Sequence, residues 1–216
     1  MNLFLGGILL YIDASIKEKE GDKLDGLEEE KECVIRMQKG DKQAFSVIYN
    51  QYKERIFKTA CLISGNQADG EDIMQETFVK ILLHCEELKN PEAFKYWAFK
   101  ILNRTAWSMR NKQKKEIPTE EFECQFMQKE SKHLPFLSLI KKEKSDTIWK
   151  AIQRLPYKQK VVVILYYYNE LSVGQIADVM GCNVGTVKSR LYTARKKLEK
   201  VLSKEMTFEE VCYENE

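Results

Sequence analysis

The stretch LSVGQIADVMGCNVGTVKSRLYTARKKL, residues 171–198, decides the fold. Ser172 is placed to cap a short helix, because a serine hydroxyl accepts hydrogen bonds from the free amides of a first helical turn. In that helix Ile176, Ala177 and Val179 are small or apolar. Gly181 stands where a tight turn between two helices needs φ > 0, a conformation open to glycine. A second helix follows, with Val184, Val187 and Leu191 spaced to face inward. Its outward face carries Lys188, Ser189, Tyr192, Thr193, Arg195 and Lys196, and residues 188–200 hold six bases against Glu199. This is the pattern of a helix-turn-helix, whose second helix fits a major groove and reads base edges. The competing reading, an αα-hairpin with a solvated basic face, accounts less well for the turn spacing.

Upstream of this motif the pattern is helical throughout. Ser145-Asp146 opens a helix carrying Ile148, Trp149, Ile152 and Leu155, and Pro156 suits the first turn of the next. Val161-Val162-Val163-Ile164 has strand propensity, but its length and neighbours favour a buried helix. Residues 116–144 lose periodicity, and Pro118, Pro135 and many Glu and Lys residues mark a linker. Its Phe122, Phe126, Leu134, Phe136 and Leu137 are more apolar than a free tether needs. Before it, Asp41 caps a helix with Phe45, Ile48, Tyr49, Tyr52 and Ile56 at i, i+3, i+4 spacing, ending at Gly65. A second helix begins near Ala68-Asp69 with Ile73, Met74, Phe78, Ile81 and Leu82 as its buried stripe. A third spans about 94–111 with Phe94, Trp97, Ala98, Ile101, Leu102, Thr105 and Met109 inward, and a short helix is expected over roughly 29–39.

Two further faces carry chemistry. Residues 94–115, FKYWAFKILNRTAWSMRNKQKK, hold seven bases and no acid, interleaved with Phe94, Tyr96, Trp97, Phe99 and Trp107. Tyr96, Lys100, Asn103, Arg104 and Arg110 lie off the apolar stripe. Aromatic and cationic side chains together suit single-stranded DNA, where bases stack and phosphates are neutralised; a structural helix with a solvated basic face is the alternative. The helix around DIMQETFVK, residues 72–80, presents Asp72, Gln75, Glu76, Val79 and Leu83 opposite its core stripe. Apolar side chains beside acids on an outward face suit a protein partner; an ordinary solvated helix face is the alternative.

Composition bounds the rest. The 216 residues carry 35 Lys plus Arg and 33 Asp plus Glu, for a net charge of +2, but residues 13–32 hold nine acids against four lysines. An acidic head followed by basic patches points to a nucleic-acid partner. At 44% hydrophobic and 31% charged, the composition excludes collagen, a mostly disordered chain and a multispanning membrane protein. The six cysteines form no CxxC pair and read as reduced thiols of a cytosolic protein. With two histidines, His84 and His133, and no glycine-rich phosphate loop, no metal, cofactor or catalytic site is expected. The apolar run from Asn2 to Ile12 is too short to span a bilayer and lacks a basic start, so it reads as an extension.

In their order, the acidic DIMQETFVKI helix, the aromatic-basic FKYWAFKILNR helix, the linker, and then LP and SVGQIADVMGCNVGTVKSRLYTARKKL resemble the extracytoplasmic-function (ECF) sigma factors of the bacterial sigma-70 family. The resemblance covers roughly residues 31–113 and 145–201. It implies an all-α chain: an extension over 1–28, a region 2-like helical bundle over 29–113, a flexible linker over 114–144, a region 4-like helix-turn-helix over 145–203 and a tail over 204–216. It implies a cytoplasmic, non-enzymatic initiation factor that directs core RNA polymerase to promoters and aids melting. A helix-turn-helix activator working beside another sigma factor is the alternative.

The implied partners are core polymerase (the β′ clamp helices and the β subunit), promoter DNA and an anti-sigma factor, with no small-molecule substrate. Carried over by position, Asp72, Gln75, Glu76 and Val79 would dock on polymerase. Tyr96, Lys100, Asn103, Arg104 and Arg110 would face the −10 non-template strand. Lys188, Ser189, Tyr192 and Arg195 would face the −35 duplex. The sequence departs from the family in its apolar start, Leu3 to Ile12, and at Thr193, where arginine is frequent. The apolar linker adds an expectation that the two domains of the free chain pack on each other or on the linker, masking Lys188 to Arg195.

Overall fold

A computed structural model describes the backbone of residues 25–116 and 142–213, with side chains placed over 28–113 and 148–202. All regular structure among the described residues is helical. The first half comprises α1 (Asp25–Gln38), α2 (Lys42–Ser64), α3 (Gln67–His84) and α4 (Phe94–Glu116), with 3₁₀ turns at Cys85–Glu87 and Pro91–Ala93 before α4. The second half comprises α5 (Lys142–Gln153), α6 (Tyr157–Val163), α7 (Val173–Met180) and α8 (Val184–Tyr213). Of the expected extension, linker and tail, residues 25–28, 114–116, 142–144 and 204–213 are described, and all are helical. The apolar start and the linker aromatics lie outside the described residues.

Local signals set the helix ends. Asp41 Oδ1 accepts from the amides of Gln43 at 2.8 Å and Ala44 at 3.2 Å, while Arg36 grips Asp41 Oδ2 at 2.6 Å. That guanidinium holds the Asp41 carboxyl below the usual carboxylate range. Gly65 ends α2 at φ 91°, and Asn66 caps α3 by accepting from the Asp69 amide. The four helices bury Ile48, Ile56, Ile63, Ile73, Phe78, Ile81, Phe94 and Leu102 together. Each such side chain stabilises the fold by about 1.5–3 kcal/mol. Two expectations change here. Leu82 is 50% exposed, because the turn after α3 is covered by Cys85 and Leu88 instead. Phe99 is fully buried, so the apolar stripe of α4 is wider than periodicity indicated.

Gly70 fixes how closely α2 and α3 approach. A Cβ there would lie 3.1 Å from both the Cα and the backbone nitrogen of Cys61. Inside a helix, Gly→Ala normally gains about 1 kcal/mol. At this crossing the two backbones must separate, and overpacking of that kind costs about 1–3 kcal/mol. Gly70→Ala is therefore expected to lower the urea midpoint; a midpoint at or above wild type would contradict the close-crossing account.

Beyond Pro156, α6 continues directly into a π-helical turn over Ile164–Tyr168, so the valine-rich run is helical, as its length implied. The widened turn was not anticipated. It ends where the Asn169 amide donates to the Ile164 carbonyl, and Glu170 takes φ 55°. This corner docks on the first half. Arg55 donates to the Tyr168 carbonyl at 3.2 Å, and Thr59 Oγ1 lies 3.1 Å from Asn169 Oδ1, both residues fully buried. Gln153 Nε2 donates to the Leu62 carbonyl at 2.9 Å, and Trp107 packs on Tyr157 with ring centroids 5.1 Å apart. The two halves thus share one hydrophobic core.

Candidate nucleic-acid interface

The helix-turn-helix is built as its sequence specifies. Ser172 and Gln175 form a capping box, the serine hydroxyl accepting from the Gln175 amide at 3.2 Å and the Gln175 side chain accepting from the Ser172 amide at 2.9 Å. Gly181 adopts φ 59°, and its amide and that of Cys182 close the end of α7. Asn183 then caps α8, its Oδ1 accepting from the Thr186 amide at 2.7 Å and hydroxyl at 2.8 Å. Val187, Leu191, Ala194 and Leu198 are buried and fix the rotation of α8.

That rotation leaves Lys188 and Ser189 exposed and Tyr192 60% exposed, one turn apart along one face. The two halves pack on each other, but the first half leaves these three side chains uncovered; cover by the linker, the other part of the expectation, lies outside the described residues. Arg195 behaves differently: it is half-buried, donates from Nε to the Tyr167 hydroxyl at 2.7 Å, and lies over the rings of Tyr166 and Tyr167. Arg195 thereby braces α8 against the π-helical turn. Lys196 lies 4.8 Å over the Tyr192 ring. Val184, read as inward, is 43% exposed, since it opens α8 before the helix reaches the core.

What the second half covers is α4. Asn103 Nδ2 reaches the Val179 carbonyl at 3.5 Å, and Arg110 lies over both Trp107 and Tyr157. Tyr96, Lys100, Asn103 and Arg110 are half-buried, and Arg104 is exposed. A cleft of about 450 Å³ separates α4 from the α7–α8 turn. Lys100, Arg104 and Trp107 line it from one side, Lys158, Asp178 and Arg190 from the other. Lys158 and Arg190 were absent from the sequence reading because their approach to α4 depends on how the halves dock. The masked surface is therefore the aromatic-basic helix, not the second helix of the motif.

On α3, Asp72 and Gln75 are exposed and Val79 is 56% exposed, with Leu83 at 70% beside it. Glu76 is half-buried and pairs with Lys80 at 2.6 Å. Cys33, Cys61, Cys85 and Cys182 are free thiols, and burial pushes Cys61 up to about 12. Among the described residues no three His, Cys, Asp or Glu side chains converge as a metal site would require, and no helix is long and apolar enough to cross a membrane.

Residues 48–116 match the family described as Sigma-70 region 2, and residues 145–198 match Sigma-70, region 4. RNA polymerase sigma factor SigV of Bacillus subtilis (strain 168) is 36% identical over 156 residues, spanning 71% of this chain and 88% of the relative. ECF RNA polymerase sigma factor SigW of the same organism is 31% identical over 179 residues, spanning 80% and 96%. The fold is shared with the sigma factor RpoE, solved in complex with the anti-sigma factor NepR from Bartonella quintana. That match has a TM-score of 0.59 at 23% identity and covers 74% of this chain and 96% of the other. The two halves of the structure thus correspond to sigma-70 region 2 and region 4. The chain belongs to the ECF subfamily of the sigma-70 family and is an RNA polymerase sigma factor, not an accessory activator.

Proposed function

We propose a division of labour within this sigma factor that follows the three faces. The α3 face (Asp72, Gln75, Glu76, Val79) docks on the β′ clamp helices of core polymerase. The α4 face (Tyr96, Lys100, Asn103, Arg104, Arg110) holds the −10 non-template strand. Lys188, Ser189 and Tyr192 of α8 read the −35 duplex, with Arg195 bracing that helix and facing the phosphates beside it. The protein works in the cytoplasm as an initiation factor without catalysis of its own. It passes between a closed form and a form opened on polymerase, and an anti-sigma factor is the partner that would hold it closed.

The observation that carries this reading is the unequal exposure of the two DNA faces. Lys188, Ser189 and Tyr192 are free to meet duplex, whereas Asn103 and Arg110 are engaged by the second half. Opening must therefore precede strand capture, which couples melting to polymerase binding. The test is promoter opening by the reconstituted holoenzyme, followed by permanganate reactivity of unpaired thymines. Arg104→Ala with Tyr96→Ala is expected to abolish opening while leaving duplex binding intact. Undiminished reactivity would remove α4 from that role.

The duplex face makes a separate prediction. A specific base contact is worth about 1–3 kcal/mol, so Lys188→Ala should lower affinity for the selected −35 element by about 5- to 150-fold. Random duplex should be affected far less. Equal losses on selected and random duplex, measured at matched salt, would make Lys188 a phosphate contact instead.

A further inference from the structure

We infer that Val184 reads the 5-methyl group of a thymine in the −35 element. The inference rests on the reading of α8 as the duplex-facing helix and adds a residue that no part of that reading assigned. Val184 is the first residue of α8 and is 43% exposed, although its spacing with Val187 and Leu191 places it on the inward stripe. The side chain is withdrawn from the core by its position at the helix start. It stands one turn before Lys188 on the exposed face, since residues four apart on a helix are neighbours.

Its presentation is fixed. The Asn183 cap locks the first turn through the Thr186 amide and hydroxyl. A β-branched side chain has little χ1 freedom to lose on contact. Gly185 beside it offers no side chain, and a Cβ there would meet only Asn183 Oδ1 at 3.4 Å. No side chain at position 185 therefore stands between Val184 and an approaching base edge. The first residues of a recognition helix are those that contact base edges. Among the groups lining the major groove, the thymine methyl is the apolar one, and aliphatic side chains contact it. An exposed valine at this place has that chemical complement in duplex DNA.

The test uses the full chain assembled with core polymerase and a −35 element selected by this holoenzyme from randomised duplex. Each thymine is replaced in turn by deoxyuracil, which removes the methyl and nothing else. One replacement is expected to weaken wild-type binding by about fourfold, the value of one buried methyl. Val184→Ala should lose a similar factor on the thymine duplex and become insensitive to that one replacement. Val184→Ile should retain the sensitivity. The inference is overturned if the scan is flat, if the selected element holds no thymine, or if Val184→Ala leaves every sensitivity unchanged. Lys188→Ala, measured in parallel, separates the levels. If Lys188→Ala weakens selected and random duplex equally, the base-reading assignment of α8 falls. If its loss is confined to the selected duplex while the scan is flat, only the role of Val184 falls.

Discussion

Val79→Asp and Glu76→Lys are each expected to weaken binding of core RNA polymerase by about 30- to 1,000-fold, corresponding to about 2–4 kcal/mol at a buried interface. Val79 is 56% exposed and Leu83 70%, an apolar pair that the free protein leaves in water. Burying a carboxylate there in place of an isopropyl group leaves it without a partner. Glu76 is held in position by Lys80, whose Nζ also donates to Thr105 Oγ1 at 3.1 Å, so its carboxylate is aimed from a fixed base. On a solvated face either change would alter stability by within about 0.5 kcal/mol. Helical content should accordingly stay normal. Wild-type affinity of both variants for core polymerase would remove this face from docking.

A pH dependence of stability follows from Lys160, which is 4% exposed on α6. Its Nζ donates to Gln153 Oε1 at 2.6 Å, and that Gln153 in turn holds the Leu62 carbonyl across the two halves. Burial, and then the nearby Arg110, pull the ammonium down to about 8 from 10.5. A lowered lysine pKa means that the unfolded chain binds a proton between about pH 8 and 10.5 that the folded chain does not. Stability from this group therefore rises with pH through that window and is flat below it. Between pH 7.5 and 9 the gain is about 1 kcal/mol, of a total penalty on the order of 3 kcal/mol at low pH. Cys61, whose thiol is pushed upward by burial, works in the opposite direction. The difference between wild type and Lys160→Met cancels it. Urea unfolding at both pH values should show that difference moving toward wild type as pH rises; a pH-independent difference would contradict the buried ammonium held by Gln153.

The parts legible in the sequence were those fixed by local chemistry. Ser172, Gly181, Asp41 and Gly65 announced their helix ends because capping and left-handed φ depend on a few adjacent residues. The helix-turn-helix and its exposed Lys188, Ser189 and Tyr192 followed from those caps together with the periodicity of the second helix. What failed depended on distance along the chain. Leu82 and Val184 fit an apolar repeat, yet Leu82 is exposed between buried Ile81 and Cys85, and Val184 opens α8 before the helix reaches the core. Phe99 looked like part of an interleaved aromatic surface, and only packing of α4 in the bundle shows it enclosed. Arg195 lay on the outward arc, but the π-helical turn brings Tyr167 to it. Where the two halves meet, the second half covers α4 and the first half leaves Lys188, Ser189 and Tyr192 uncovered, because the docking corner at Thr59 and Asn169 sets which helices face each other.

The central claim is that this chain alone converts core polymerase into a promoter-specific enzyme. Run-off transcription with purified core polymerase, this protein and a template carrying its selected −10 and −35 elements tests it most directly. The account predicts transcripts that require the chain and start at one position, and their loss with Val79→Asp. Absence of transcript, or transcript appearing only when a second sigma factor is added, would contradict it.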